Sequence, residues 1–333
     1  MKAVVLPGDM TVQVRELPDP VPRLGEVLVR VQASAVCGSD MSALRGDQVV
    51  GQKPEQLVPG HEIAGVVEAV GPGATGVQVG DRVAVYLAVG CMRCAFCRQG
   101  NLMACPSAKI VGFDVWGGDA ELVVVPAVNC MRLPVGLGFV EGAVSTDMFG
   151  TQSSAQHRLA VSGADTVLVS GLGPMGAAAV AVAKARGARV VAVDPVEHRR
   201  ELGTRMGADE VLPALDELAL PSSSGPHVVI ECSGNSAAQS AALDAVRPFG
   251  RVAFVGESRR AEIDPSNQFL RKLITVIGAW YFPIHQYDAI AEFLLDRKVP
   301  VLELVSHRLQ LDDAPRAFEM LAARSAEKMV FAA

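Results

Sequence analysis

Two hydrophobic rhythms divide this chain. From residue 1 to about 135 the apolar positions come in short runs broken by Gly and Pro. Val27, Val29 and Val31 alternate with Leu28, Arg30 and Gln32, the period-two pattern of a strand. Val66, Val67 and Val70 form a second run that ends in the turn Gly71-Pro72-Gly73, and Gly80-Asp81 punctuates the chain before Val83-Ala84-Val85. Strands so closely spaced predict a small barrel or sandwich. After about residue 148 the rhythm changes. Buried strands are expected at 167–169, 190–193, 228–230 and 252–255, with helices at about 175–186, 197–206 and 241–246 between them. Strand and helix in alternation mean parallel βαβ units. The tail, 283–333, carries two amphipathic segments at 287–295 and 314–323, and residues 221–226 read as a loop.

Length adds a boundary. One hydrophobic core rarely grows past about 250–300 residues, so 333 residues predict two domains. A net charge of −6 argues against nucleic acid or an anionic membrane as the main partner. No apolar run approaches the roughly 18 residues of a membrane span, and the N-terminus has no signal-peptide core. A cytoplasmic protein is the expectation, with its seven cysteines as thiols, thiolates or metal ligands rather than disulfides.

Gly171-Leu172-Gly173-Pro174-Met175-Gly176 directly follows a predicted strand and opens a predicted helix. In a dinucleotide fingerprint the first glycine permits the tight turn. The second lets the pyrophosphate approach the backbone, and the third lets helix and strand pack closely. Asp194 ends the next strand, about 20 positions on, where an acid accepts the ribose hydroxyls and repels a 2′-phosphate. NAD is therefore favoured over NADP. Arg199, on the following helix, offsets part of that preference.

Four cysteines fall in one short stretch, Cys91-x2-Cys94-x2-Cys97-x7-Cys105. Four thiolates on one loop can close a structural zinc shell; the spacing also admits an iron–sulfur cluster. A second constellation is dispersed. Cys37-Gly38-Ser39-Asp40 follows one strand and Gly60-His61-Glu62 precedes another. A thiolate and an imidazole suit zinc, and a catalytic zinc needs three protein ligands and one open position.

Taken together, these residues resemble the zinc-containing medium-chain alcohol and polyol dehydrogenases, near the sorbitol and threonine dehydrogenase branch. Gly60-His61-Glu62-x2-Gly65-x5-Gly71 resembles the family's zinc signature, and Val79-Gly80-Asp81-Arg82-Val83 one of its barrel segments. The likeness covers essentially the whole chain. It implies a GroES-like β-barrel catalytic domain at 1–147, a Rossmann doubly wound NAD domain at 148–282, and a segment at 283–333 that returns to the catalytic domain. By residue, it implies that Cys37, His61 and Asp147 hold a catalytic zinc, with Glu62 beside it, directly or through water. Ser39 takes the substrate proton, Thr151 meets the nicotinamide end, and Cys91, Cys94, Cys97 and Cys105 hold a structural zinc. Two zinc ions per subunit, a small alcohol or carbonyl substrate and a homodimer or homotetramer follow from the same likeness. The implied reaction moves hydride between NAD and a secondary alcohol such as a polyol, cyclitol or hydroxy-amino acid. The alternatives are an aldehyde or ketone reductase using NAD(P)H, and a non-catalytic dinucleotide sensor. Two positions depart from the pattern. Ser42 stands where many members carry a relay histidine, and Asp119 replaces a residue that is often aromatic.

Overall fold

The structure, a computed structural model, describes residues 1–46, 56–217 and 225–333. Residues 221–224 of the loop expected at 221–226 thus lie outside the described residues. Two compact units emerge. One comprises Met1–Asp147, Phe282–Asp296 and Val305–Ala333; the other comprises Met148–Tyr281 and Arg297–Leu304.

The first unit opens with an antiparallel ribbon, β1 (Lys2–Val5) and β2 (Gln13–Glu16). Its main sheet is built on β3 (Glu26–Val36) and β4 (Glu62–Val70), paired antiparallel from Val27 opposite Val70 to Ala35 opposite Glu62. The alternation read from the sequence decides the faces. Val27, Val29 and Val31 pack with Ile63, Val67, Val83, Val85, Val123 and Val125 in one core. Full burial of each such side chain is worth roughly 1.5–3 kcal/mol. Arg30 points outward and donates to Glu68 at 2.6 Å. Strand β3 ends at Val36 and helix α1 (Asp40–Arg45) follows at once, so Cys37 sits in a tight corner. Strand β5 (Arg82–Val85) extends the sheet. A short ribbon, β6 (Ala88–Val89) with β7 (Lys109–Ile110), brackets the cysteine lobe and its single turn α2 (Ala95–Arg98). Strands β8 (Leu122–Pro126) and β9 (Cys130–Arg132) complete this part of the sheet, and α3 (Phe139–Val144) leads to Asp147.

In the second unit, helix α4 (Gly150–Arg158) precedes β10 (Thr166–Ser170), α5 (Pro174–Ala185), β11 (Arg189–Val193), α6 (Glu197–Arg205) and β12 (Glu210–Leu212). Then come β13 (Val228–Glu231), α7 (Ser236–Ala245), β14 (Arg251–Phe254) and β15 (Thr275–Gly278). Among the described residues the six strands are all parallel, in the order β12-β11-β10-β13-β14-β15. That is the doubly wound order, and it switches direction at the carboxyl end of β10, where a nucleotide belongs. Helix α5 is alanine-rich because it is buried from Gly176 through Ala183. His227 is half-buried. Its Nδ1 accepts the Thr166 N–H at 3.0 Å and so satisfies a backbone donor at the start of β10.

Helix α8 (Tyr287–Asp296) returns to the first unit, while Arg297–Leu304 stays with the second, where the turn Val301–Leu304 packs on α5. Strand β16 (Val305–Leu309), helix α9 (Ala314–Ala323) and strand β17 (Lys328–Ala332) close the first unit. β17 inserts antiparallel beside β3, with Met329 opposite Val36. The last strand of the chain thereby reaches the Cys37 corner. Among the described residues no helix is long and apolar enough to cross a membrane.

Candidate functional site

Cys37, His61, Glu62 and Asp147 come together, each offering one ligand atom within 4.8 Å of all the others. Three elements deliver them. Cys37 follows β3, His61 and Glu62 stand at the head of β4, and Asp147 lies in a turn of π-helix, Ser145–Phe149, after α3. The wide π turn suits a functional position inside a helix. Cys37 Sγ lies 3.6 Å from Asp147 Oδ2. His61 Nε2 lies 3.7 Å from Asp147 Oδ2 and 3.9 Å from Glu62 Oε1, too far for direct hydrogen bonds. Among the described residues, His61 Nε2 and Glu62 Oε2 are buried with no hydrogen-bond partner. Buried polar atoms are almost always satisfied, so orphans that converge are the mark of an ion's seat.

Electrostatics agree with that seat. Burial alone drives the Cys37 thiol up, but Lys328 and His61 outweigh it and the group ends below its ordinary value. Burial likewise pushes Asp147 up, and His61 outweighs it and holds the carboxyl down. His61 is opposed by its own burial, yet Asp40 and Asp147 raise it well above the usual imidazole range. The imidazole proton is standing in for a cation among anionic donors. A thiolate, an imidazole and a carboxylate suit zinc, so the residues present fit that ion.

Sequence reading missed two supporting groups. Asp40 is buried; its Oδ2 accepts the Cys37 N–H at 2.8 Å and its Oδ1 faces His61 Nδ1 at 3.2 Å. It thereby turns Nε2 toward the donor cluster, the usual carboxylate–histidine–metal arrangement. The other group is Lys328, whose Nζ donates to Glu62 Oε1 at 2.5 Å. Asp40 was visible in the Cys37-Gly38-Ser39-Asp40 motif; Lys328, 266 positions from its partner, carried no local signal. Ser39 is exposed at the entry to α1, and Ser42, one turn on, accepts from Arg45 Nη2 at 3.2 Å. Asp119, buried, accepts the Ser34 hydroxyl at 2.6 Å and fills the space that a side chain at Gly60 would need.

Cys91, Cys94, Cys97 and Cys105 form a second four-donor cluster within the same 4.8 Å limit. Backbone N–H groups of Cys91 and Ser107 point at Cys105 Sγ, both at 3.4 Å. Backbone hydrogen bonds from Arg93 and Cys94 hold Cys91 down to about 6, whereas burial pushes Cys97 up to about 12. Four crowded thiols thus resist complete ionisation on their own, and a dication resolves the conflict.

The glycine loop has backbone geometry that only glycine accommodates at two of its positions. Gly171 adopts φ +89°, reserved in practice for glycine, and a Cβ on Gly176 would sit 1.7 Å from the Gly171 carbonyl oxygen. A Cβ on Gly173 would meet nothing within 4 Å, which leaves the approach to the N-terminus of α5 open. Backbone donors and the helix dipole there attract phosphate. Leu172 gives its N–H to Asp194 Oδ2 at 2.8 Å, while Val196 gives its N–H to Oδ1 at 2.9 Å. Asp194 therefore braces the loop and caps the next turn, and a carboxylate still has acceptor sites left for a ribose hydroxyl. Arg199 Nη1 stands 3.8 Å from Asp194 Oδ2. Thr151 is buried in α4, and its Oγ1 has no partner among the described residues.

A doubly wound dinucleotide unit, joined in one chain to a sheet domain with a three-plus-one donor set and a four-cysteine lobe, defines the class of zinc-dependent, nicotinamide-linked oxidoreductases. Two family models match the chain, the alcohol dehydrogenase GroES-like domain over residues 23–135 and the zinc-binding dehydrogenase over residues 174–296. The chain is 34% identical to an L-threonine 3-dehydrogenase of Pyrococcus abyssi over 95% of its own length and 93% of the relative's. Alcohol dehydrogenase TADH from Thermus sp. ATN1 superposes with a TM-score of 0.90 at 31% identity, over 100% of this chain and 99% of that one. An Escherichia coli CFT073 alcohol dehydrogenase complexed with NADH gives 0.89 at 25% identity, over 100% and 99%. The chain belongs to the zinc-containing medium-chain alcohol and polyol dehydrogenase family. It is an enzyme of that type, with the GroES-like and Rossmann folds and with zinc and a nicotinamide dinucleotide as cofactors.

Proposed function

We propose that this protein oxidises a small polar secondary alcohol at a zinc held by Cys37, His61 and Asp147 and passes the hydride to NAD. The observation that carries the proposal is the convergence of those three donors, far apart in sequence, around buried atoms that have no hydrogen-bond partner among the described residues. Metal chemistry is assigned to the unit built on Met1–Asp147 and nucleotide binding to the unit built on Met148–Tyr281.

When bound, zinc supplies a Lewis acid for the alcohol oxygen and NAD the acceptor for hydride. The chain's own residues do the rest. Asp40 fixes the imidazole so that Nε2 is the donor. Ser39 receives the alcohol proton at Oγ. Because Ser39 is exposed, the proton passes directly to solvent, and no histidine is needed at position 42. Gly171, Leu172, Gly173, Pro174, Met175 and Gly176 cradle the pyrophosphate at the start of α5. Asp194 accepts the ribose hydroxyls and disfavours NADP, with Arg199 as a partial offset. Thr151 Oγ1 contacts the nicotinamide end. Cys91, Cys94, Cys97 and Cys105 hold the second zinc, which folds their lobe.

Asp147 as an acidic third ligand, with the relative named L-threonine 3-dehydrogenase, favours a hydroxy-amino acid, polyol or cyclitol over a primary alcohol. A homodimer or homotetramer joined through the outer edge of β15 is part of the proposal. Among the described residues β15 is the outermost strand of its sheet, so one of its edges is open to pairing. A reducing, cytoplasmic setting fits seven free cysteines.

The test mixes zinc-loaded protein and NAD with panels of hydroxy-amino acids, polyols, cyclitols and primary alcohols, and follows the absorbance of reduced cofactor. Turnover concentrated on secondary alcohols is expected. Turnover on primary alcohols alone, or on none, contradicts the proposal.

A further inference from the structure

Glu62 is the odd member of its donor set. Its Oε1 lies 3.9 Å from His61 Nε2, yet the same oxygen accepts from Lys328 Nζ at 2.5 Å. Its Oε2 is buried without a partner among the described residues. The pair is almost wholly shielded from solvent, with side-chain exposures of 2% for Lys328 and 0% for Glu62. Lysine is almost never buried to this degree unless paired. β17 delivers it, one residue beyond the Met329–Val36 register and therefore opposite the Cys37 corner. Four donors within mutual reach would close a zinc shell in the manner of a structural site, whereas catalysis needs one position open.

We propose that Lys328 is a positioning residue that holds Glu62 off the metal, leaving the fourth position of the Cys37–His61–Asp147 centre to the substrate oxygen. The proposal rests on reading those three residues as a catalytic zinc site. Charge supports it. Within the donor set, one thiolate and two carboxylates face one dication and one ammonium, so the ammonium offsets the charge that Glu62 adds, while Asp40 lies behind His61 as a further buried anion. Without the ammonium, Glu62 is a free anion beside the ion and becomes its fourth ligand.

The test uses the zinc-loaded enzyme and the variants Lys328→Met, Lys328→Arg and Glu62→Gln/Lys328→Met. It reads zinc release to a competing chelator, the visible spectrum with cobalt(II) in place of the catalytic zinc, and kcat and KM. Lys328→Met is expected to release this zinc about 10–100-fold more slowly, the usual scale for losing an outer-shell partner but in the tightening direction. The cobalt spectrum changes and kcat falls. Lys328→Arg returns release and spectrum toward wild type. The double variant also recovers the open position and kcat relative to Lys328→Met; a lysine needed only for packing would leave the double variant no better. Release from Lys328→Met at or above the wild-type rate, with an unchanged cobalt spectrum, overturns the proposal. Breaking a buried pair is destabilising. If Lys328→Met does not fold, a crystal structure of zinc-loaded wild type decides. Glu62 on Lys328 and off the metal supports the proposal, and Glu62 ligated to the metal overturns it. Cys37→Ser separates the underlying reading. It must drop zinc from two to one per chain; if it retains both, the centre is misassigned and the role of Lys328 falls with it.

Discussion

As the proposed zinc ligands, Cys37, His61 and Asp147 would each do something that no substitute of similar size does. A serine at 37 removes the soft anionic donor but keeps the fold of the corner, since Asp40 still accepts the backbone N–H of residue 37. Cys37→Ser and Asp147→Asn are therefore expected to lower kcat/KM by about a thousandfold or more, several kcal/mol of lost transition-state stabilisation at roughly 1.4 kcal/mol per factor of ten. Affinity for NAD, measured by fluorescence titration, stays near wild type. An active variant of either kind removes that residue from the ligand set. Asp194 braces Leu172, a role invisible in sequence, beside its proposed role as ribose acceptor. Asp194→Gly loses the ribose acceptor and also the brace on Leu172. NAD affinity should fall by about 10–100-fold, the cost of one or two hydrogen bonds to a charged group, while the ratio of NADP to NAD affinity rises. An unchanged ratio contradicts the ribose assignment. At this scale the sequence was legible where chemistry is local. The cysteine spacing and the glycine loop needed no fold to be read. Asp147 was found only through family likeness, and Lys328 could not be found, because its partner lies at the other end of the chain.

Elements explain why those residues meet. The alternation of Val27, Val29 and Val31 set both the strand and its buried face, and Gly60-His61-Glu62 fell at the head of the partner strand as the pattern predicts. The insertion of β17 beside β3 was not legible, because a tail with two amphipathic segments gives no hint of its strand partner. The cysteine lobe makes its own prediction. Its helix α2 has only four residues, too short to persist alone, and the proposed zinc would hold it. Cys97→Ser should cost the lobe its zinc and lower the melting temperature, while the Cys37 centre keeps its ion. Elemental analysis giving one zinc per chain checks this; two retained ions would contradict a four-cysteine shell.

Across the whole molecule, buried charge sets how stability responds to pH. Burial pushes the Asp119 carboxyl up to about 7, against an unfolded value near 3.9. A raised folded value means that the folded state holds the proton more tightly. This group's contribution is complete below about pH 4 and is lost as pH rises through 7. Asp119→Asn keeps an acceptor for the Ser34 hydroxyl and removes the titration. Relative to wild type, the variant should gain stability between pH 5 and pH 8, by a few kcal/mol at most at about 1.4 kcal/mol per unit. A cation at the Cys37 centre draws the same carboxyl down, so the gain is larger in zinc-stripped protein. Urea midpoints at the two pH values measure it; a difference constant with pH contradicts the account. The doubly wound unit was legible at this scale because strand and helix alternate so regularly. The allotment of Arg297–Leu304 to the second unit was not, since it depends on packing against α5.

The most direct measurement is anomalous X-ray scattering at the zinc edge from crystals of the loaded protein with NAD. Two peaks per chain are predicted, one among the four lobe cysteines and one bonded to Cys37 Sγ, His61 Nε2 and Asp147, with a nonprotein oxygen completing the latter. A single peak in the lobe, and none at Cys37, would contradict the central claim.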